Sequence, residues 1–185
     1  MKVKVKLLSE NAKLPVKKYD SDFCYDVYAA DDGVPCKDDE GNDIPNTWSY
    51  STDLSFEVVR DEEVIVNPLV KHYLPEMVID FKKSPIIIDI DARPRSSVYK
   101  TGLILTNCEG TVDESYRGPF KLNFYHVIPE LPRYKKGDRI AQIKLGFTLP
   151  MNFIEETTLS ETERGDGGFG STGKNDNTKK KGAKK

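Results

Sequence analysis

Residues 164–173 have the composition of a loop that closes around a phosphate chain. They read Arg-Gly-Asp-Gly-Gly-Phe-Gly-Ser-Thr-Gly, and five glycines in ten positions exclude a regular helix or strand. The exposed backbone N–H groups, two hydroxyls and the rigid fork of Arg164 are donors that suit phosphate oxygens. Phe169 has no apolar neighbour here, so its ring is available to lie on a base. The segment predicts a mobile flap over a ligand that contains phosphates and a base.

Two other interpretations compete with this one. A flexible linker into the polar tail would use Gly and Ser, but it has no need for Phe169 or Arg164. A P-loop is excluded, because Asn175 stands where a Ser or Thr should hold magnesium and only 11 residues follow Lys174.

A second segment, residues 107–118, places turn residues and polar side chains between apolar strands, which predicts a β-hairpin. The amide of Asn107, with hairpin backbone groups, matches the acceptor–donor–acceptor edge of a uracil. The ring of Tyr116 can pack on a sugar, and Asp113 can accept a proton from water. Taken alone, an ordinary hairpin whose Asp and Asn form turns explains the same residues.

Three further segments carry charged or phosphate-binding side chains. Arg95, Ser96 and Ser97 form a compact donor group that suits a phosphate, although a surface turn would use the same residues. Gln142 follows a Gly-Asp-Arg turn and can reach a phosphate. Asp26 interrupts an apolar strand, so it is either a turn cap or a charged group of a site.

The elements that must position these side chains are short strands. Alternating or β-branched runs, separated by Gly, Pro, Asp and Asn, span residues 3–7, 86–90, 102–105, 120–128 and 140–145. The only helix signals, near 69–73 and 152–159, are weak. The pattern predicts an all-β sandwich or barrel. We expect one β-domain over 1–160, a flap over 161–173 and a disordered basic tail over 174–185, with the polar stretch 31–63 as a long hairpin or surface insertion.

Composition narrows the class of protein. The chain has 185 residues, 37% of them hydrophobic and 31% charged, which suits one globular domain. We expect no membrane segment and no signal peptide. Three scattered cysteines and two histidines lack zinc-ligand spacing, so reduced thiols in the cytoplasm are expected.

The charge is unevenly distributed. The last 12 residues hold six lysines and one aspartate, a charge of +5, so the remaining 173 residues carry −7. Because this tail lacks aromatic side chains for stacking, we expect a solubility tail rather than a specific nucleic-acid contact.

The order of five segments resembles the five motifs of the trimeric dUTPase family. They read Tyr-Asp-Val-Tyr-Ala-Ala, Pro-Arg-Ser-Ser, Gly-Thr-Val-Asp-Glu-Ser-Tyr-Arg-Gly, Gly-Asp-Arg-Ile-Ala-Gln and Arg-Gly-Asp-Gly-Gly-Phe-Gly-Ser-Thr-Gly. The resemblance implies a jelly-roll-like β fold and a homotrimer with active sites at subunit interfaces. It also implies hydrolysis of dUTP to dUMP and pyrophosphate with Mg²⁺ on the phosphates. This activity would limit uracil in DNA and supply dUMP for dTTP synthesis.

The resemblance further implies roles for individual residues. Asp113 would be the general base, and Asp26 would support the magnesium–phosphate arrangement through water. Nucleoside contacts would come from Asn107, Gly110, Val112 and Tyr116. Phosphates would be held by Arg95, Ser96, Ser97 and Gln142. The closing flap would use Arg164, Phe169, Gly170, Ser171 and Thr172.

Other functions remain open at this point. A dCTP deaminase, or a bifunctional deaminase and dUTPase, also carries an Arg-Ser-Ser turn, and a regulatory β-trimer could bind a nucleotide without hydrolysing it. The chain departs from the motifs at Cys24, where Gly is usual, and at Ser115, where a second acidic residue is usual. Residues 31–63 also form a longer stretch than the common core needs.

Overall fold

The computed structural model of the chain describes residues 2–60 and 85–167. Within these ranges the regular structure consists of ten strands and one short 3₁₀ helix, Val98–Lys100. The strands are β1 (Lys2–Leu7), β2 (Tyr25–Tyr28), β3 (Val34–Lys37), β4 (Asp43–Ser51), β5 (Leu54–Val59), β6 (Ile87–Arg93), β7 (Leu103–Leu105), β8 (Gly110–Val112), β9 (Lys121–His126) and β10 (Arg139–Thr148). No helix in the described ranges is long and apolar enough to cross a membrane.

The strands form two four-stranded sheets and one two-stranded sheet. The strand orders are β2-β10-β6-β8, β3-β4-β9-β7 and β1-β5, and every pairing is antiparallel. Neighbouring strands are seldom consecutive in the chain, so long connections pass between the sheets. This arrangement brings segments that are distant in sequence to the same sheet edge.

Alternation along the strands decides which side chains are buried. In β9, Leu122, Phe124 and His126 are buried while the intervening residues are exposed. In β6, Ile88, Ile90 and Ala92 face the core, and the intervening charged residues lie on the opposite face. These two strands therefore each pack one face on the core and turn the other toward a site or solvent.

Three aromatic rings pack at the centre of the core. Tyr50 contacts Phe124 and Tyr134 edge to face, with ring centroids 5.8 and 6.1 Å apart. Gly33, at φ +77°, lies directly against this cluster, since a Cβ there would come within 2.6 Å of the Tyr50 ring. A larger residue at position 33 would displace the ring that closes the core.

The predicted all-β class is confirmed by the structure, and the five strands predicted from sequence correspond to β1, β6, β7, β9 and β10. The weak helix signal at 152–159 is wrong, because these residues form neither helix nor strand. The second helix signal, at 69–73, lies outside the described residues.

The prediction that residues 31–63 are a surface insertion is wrong for the part that the structure describes. β3 and β4 do form a hairpin, but β4 also pairs with β9 along five residues, and β5 pairs with β1. Tyr50, Leu54 and Phe56 are buried in the core. The stretch reads as polar because only Thr47 and Tyr50 of β4 are buried, while its other residues are exposed or half-buried.

The chain divides into two compact units, Met1–Pro150 and Met151–Lys185. The first unit contains all ten of the described strands. In the second unit, residues 151–167 contain no strand or helix, and residues 162–167 form turns.

Candidate functional site

The predicted base and nucleoside residues lie around one cavity of about 310 Å³. We call it the Asp113 cavity. Asn107, Gly110, Val112, Asp113 and Tyr116 all line it, together with Ala92, Thr111, Pro119, Phe120, Lys121 and Leu122. The structure therefore brings these five predicted residues together.

The backbone around this cavity belongs to the predicted hairpin and to an additional short strand within it. β8 pairs with β6, matching Gly110 with Ala92, whereas β7 pairs with β9 in the other sheet. The predicted hairpin is confirmed, because β7 and β9, which flank residues 107–118, pair antiparallel with Leu105 opposite Phe124. The connection between them is longer than a tight turn, and it contributes β8 to the other sheet. Short runs between apolar strands do not specify which partner each strand takes.

Two local features shape the wall of the Asp113 cavity. Gly110 lets Asn107 approach closely, because a Cβ at residue 110 would come within 3.1 Å of Asn107 Nδ2. The turn after β8 is closed by the Tyr116 N–H, which donates to the Asp113 carbonyl at 2.9 Å. The Tyr116 hydroxyl donates to the carbonyl of Pro119 at 3.1 Å, which orients its ring at the cavity.

Asp113 is exposed at this cavity. Its carboxylate accepts no hydrogen bond from any residue that the structure describes, unlike the neighbouring Glu114, which is ion-paired. An exposed and uncommitted carboxylate beside a cavity can accept a proton from a bound water molecule.

Four of the predicted phosphate-site and metal-site residues lie around a second cavity, of about 480 Å³. We call it the Asp26 cavity. It is lined by Val16, Lys18, Asp22, Phe23, Cys24, Asp26, Arg93, Arg95, Ser96, Arg139 and Gln142. Four cationic side chains against two carboxylates give it a net positive lining, which suits a polyanion.

Asp26 organises the arginines of this cavity. Its Oδ1 accepts from Arg95 Nε at 2.8 Å, and its Oδ2 accepts from Arg139 at 3.0 Å. The Asp26 side chain is 15% exposed, against 26% for Arg95 and 42% for Arg139, so the pair with Arg95 is the better shielded from water. Both carboxylate oxygens are therefore committed to guanidinium groups.

Ser97 and Gln142 form hydrogen bonds with residues of the turn that follows β6. Ser97 does not line the cavity, but its hydroxyl accepts from Arg95 at 3.3 Å. Gln142 lies between Asp26 and Arg93 in the sheet register and donates from Nε2 to the Pro94 carbonyl at 3.2 Å. These contacts hold the backbone that presents Arg95 and Ser96.

Sequence reasoning missed three cations of the Asp26 cavity. Lys18, Arg93 and Arg139 line it, although none of them has a role predicted from the sequence. A signal for Arg93 exists in the printed sequence, because Arg93 and Arg95 are two positions apart. No local pattern marks Lys18, because it is far in sequence from the three arginines that line the same cavity.

The two cavities share no lining residue. Ala92 lines the Asp113 cavity and the next residue of β6, Arg93, lines the Asp26 cavity. Consecutive strand residues point to opposite faces, so these two adjacent side chains reach different cavities.

The predicted flap is described only at its beginning. Arg164 donates from Nε to the Gly167 carbonyl at 2.8 Å, and the Gly167 N–H donates back to the Arg164 carbonyl at 3.1 Å. Gly165 adopts φ +55° within this turn. Phe169, Gly170, Ser171 and Thr172 lie outside the described residues.

Comparison with known proteins identifies the class of this fold and site. The dUTPase family profile matches residues 42–173, and the chain belongs to the dUTPase family. A deoxyuridine 5'-triphosphate nucleotidohydrolase of Nautilia profundicola is 32% identical over 175 residues, covering 94% of this chain and all of that one. The corresponding protein of Finegoldia magna is 34% identical over 124 residues, or 66% of this chain and 85% of its own.

Solved structures agree on the fold. A point mutant of the Staphylococcus bacteriophage 80alpha dUTPase, bound to dUpNHpp, superposes with a TM-score of 0.62 at 21% identity. The alignment covers 93% of this chain and 98% of the phage chain. The chain therefore has the jelly-roll β fold of the dUTPases.

Proposed function

We propose that this protein is a dUTP diphosphatase, which hydrolyses dUTP to dUMP and pyrophosphate. The observation that supports this best is that the two cavities have chemically different linings. One holds an uncommitted carboxylate beside an amide and an aromatic ring, and the other holds four cationic side chains. A nucleoside with a reacting α-phosphate suits the first, and a phosphate chain suits the second.

The chemistry begins with proton transfer to Asp113. Its carboxylate takes a proton from a water molecule as the water oxygen attacks the α-phosphorus. The new P–O bond forms as the bond from the α-phosphorus to the bridging oxygen breaks, and pyrophosphate leaves. Because this kind of substitution depends on positioning and charge neutralisation, one base and a set of cations are sufficient protein machinery.

Nucleoside selection belongs to the Asp113 cavity. The Asn107 amide offers both a donor and an acceptor to the edge of uracil, while Gly110 and Val112 shape the wall against the base. The ring of Tyr116 packs on the deoxyribose and leaves no room for a 2′-hydroxyl. Discrimination against UTP is thus steric.

Phosphate binding belongs to the Asp26 cavity. Arg95 and Ser96 donate to phosphate oxygens, supported by Ser97 and Gln142. Arg164, Phe169, Gly170, Ser171 and Thr172 close over the bound nucleotide, with Phe169 over the uracil. Closure excludes water and completes the set of donors.

Magnesium fits this site only as an ion carried by the substrate phosphates. Among residues 2–60 and 85–167, no three His, Cys, Asp or Glu side chains are grouped to hold a metal ion directly. Asp26 retains free lone pairs beyond its two guanidinium contacts, so it can accept from a water of the hydrated ion. The ion would supply neutralisation of charge on the phosphates.

A homotrimer would bring the two cavities together. Within one chain the base and the arginine cluster line separate cavities that share no residue. A neighbouring subunit that presents its Asp113 cavity to the Asp26 cavity of the first would complete the site. In a closed ring of three subunits, the same interface would repeat three times, so each of the three sites would be completed by a neighbour.

The function is tested by identifying products from dUTP and from dCTP. We expect pyrophosphate and dUMP from dUTP, and neither ammonia nor pyrophosphate from dCTP. Ammonia release from dCTP would indicate a deaminase instead. Tight nucleotide binding without any product would indicate a regulatory protein.

A further inference from the structure

An ion pair outside both cavities joins the end of β5 to the turn that carries the proposed base. Arg60 Nε and a terminal guanidinium nitrogen donate to the two carboxylate oxygens of Glu114, each at 2.6 Å. The two side chains are 25% and 26% exposed. The two parallel hydrogen bonds fix the orientation of the Glu114 carboxylate as well as its distance from Arg60, whereas one hydrogen bond would fix only the distance.

Glu114 directly follows Asp113 and lies within the turn closed by Tyr116. The Glu114 carboxylate also accepts from the Ile88 N–H, at 3.4 Å. It therefore fastens the turn to two neighbouring strands, at the end of β5 through Arg60 and at the start of β6 through Ile88. Neither Arg60 nor Glu114 lines the Asp113 cavity.

The other end of the same turn is fastened through backbone groups. Arg117 donates to the Glu114 carbonyl at 2.6 Å and to the Tyr116 carbonyl at 2.9 Å. The hydroxyl of Ser55 donates to the Arg117 carbonyl at 2.7 Å. These contacts hold the turn near Tyr116, whereas the Arg60–Glu114 pair holds it next to Asp113.

We infer that Arg60, acting through Glu114, is a positioning residue for the base Asp113. The inference rests on the proposed function, in which Asp113 must lie within hydrogen-bond reach of the attacking water. A displacement of about 1 Å at such a group can cost about 10²-fold in rate, even when its cause lies away from the reacting atoms. Arg60 contributes by holding the turn in the reactive position.

The charge state of the pair suits this role. The hydrogen bonds from Arg60 hold the pKa of Glu114 below its ordinary value, and the same contact raises the pKa of Arg60. Both partners therefore stay charged at neutral pH. Since they are three-quarters buried, added salt screens them less than it screens a surface pair.

The test uses three variants, Arg60→Met, Arg60→Lys and Glu114→Gln, measured for kcat, KM, affinity for dUpNHpp and melting temperature. Arg60→Met should lower kcat by about tenfold to 10²-fold, with affinity for dUpNHpp close to wild type. Arg60→Lys keeps the charge but loses the fork, so its kcat should lie between those of Arg60→Met and wild type. The double variant Arg60→Met/Glu114→Gln should be no slower than the slower single variant, because both act through one contact.

The ion pair between Lys4 of β1 and Glu57 of β5 provides a matched control close to Arg60 in the chain. It joins β1 to β5 at 3.0 Å but is exposed, at 66% and 44%, and lies outside both cavities. Lys4→Met should leave kcat unchanged.

Three results would overturn the inference. One is an Arg60→Met variant with a lower melting temperature but the kcat of wild type, which would make the pair merely structural. Another is a change in KM alone. The third applies if Arg60→Met does not fold: the inference would then be overturned if Arg60→Lys and Glu114→Gln both had the kcat of wild type. A wild-type protein that releases no pyrophosphate from dUTP would instead overturn the proposed function, and this inference with it.

Discussion

Arg95 donates through Nε to Oδ1 of Asp26 at 2.8 Å, although 69 positions separate the two residues in the chain. The second oxygen of Asp26 accepts from Arg139. A carboxylate in a cavity for phosphates is at first sight unfavourable, because it repels the ligand. Here it fixes two cations in place, and we interpret it as the organiser of the phosphate cavity.

Asp26→Asn should therefore weaken binding of dUpNHpp, even though it removes a negative charge from the phosphate site. We expect at least about a tenfold loss of affinity, or about 1.4 kcal/mol, because two arginines without their common anchor must be ordered when the phosphates bind. Calorimetric titration of both proteins with dUpNHpp measures the effect.

Asp22→Asn is the matched control, because Asp22 lines the same cavity and accepts from the Tyr19 N–H rather than from an arginine. Removal of this charge should leave affinity unchanged or raise it slightly. Tighter binding by Asp26→Asn as well would show that simple repulsion dominates.

Asp113→Asn keeps the size of the side chain and removes its ability to take a proton. Loss of a general base typically lowers the rate by about 10²–10⁴-fold. We expect kcat to fall by this amount while affinity for dUpNHpp is retained, as measured by pyrophosphate release and equilibrium binding. Asp43→Asn, in an exposed pair with Lys37, should behave like wild type. Near-normal turnover by Asp113→Asn would remove Asp113 from the role of base.

Tyr116→Ala should relax the choice between dUTP and UTP more than it slows hydrolysis of dUTP. The ring lines the Asp113 cavity and is oriented by its hydrogen bond to Pro119, so truncation opens space for a 2′-hydroxyl. The ratio of kcat/KM for the two substrates measures the effect. Tyr99, which is 70% exposed and lines neither cavity, gives the control Tyr99→Ala. An unchanged ratio would place sugar selection elsewhere.

Asp89→Asn should stabilise the protein near neutral pH and have less effect near pH 4. Burial, together with the charge of Asp91, raises the pKa of Asp89, and Oδ1 of Asp89 has no hydrogen-bond partner among the described residues. Between the ordinary aspartate pKa of about 3.9 and this raised value, the folded state binds more protons than the unfolded state. The free energy of unfolding of wild type therefore falls as pH rises through that window, and the variant avoids the loss.

Urea unfolding across this pH range measures the difference between variant and wild type. Asp91→Asn serves as the contrast, because it removes the ion-pair partner of Lys144 and should destabilise. A stabilisation by Asp89→Asn that is the same at every pH would contradict the assignment.

A mixing experiment tests the shared site. One chain carries Asp113→Asn with an intact C-terminal segment, and the other lacks residues 164–185 but keeps Asp113. Every described strand lies before residue 150, so the shortened chain should still fold. Each chain alone should be inactive.

Random assembly of equal amounts into trimers would give about one quarter of the sites Asp113 from one chain and a flap from another. Confirmed mixed trimers without activity would mean that each flap serves its own chain.

Much of the site was predictable from local sequence. Alternating apolar residues indicated β1, β6, β9 and β10, because the period of a strand is written in adjacent positions. Asp113, Tyr116 and Asn107 stood out as polar groups between apolar runs. Their convergence on one cavity followed from their closeness in the chain.

What the sequence by itself determined was the all-β class, the order of the motifs and the chemical type of each group. Only the tertiary structure decided that β8 pairs with β6, that residues 43–59 belong to the core sheets, and that Asp26 holds two arginines. It also decided that Ala92 and Arg93 face different cavities. The physical reason is that alternation specifies which face of a strand is buried, whereas the choice of partner strand depends on the packing of the whole core.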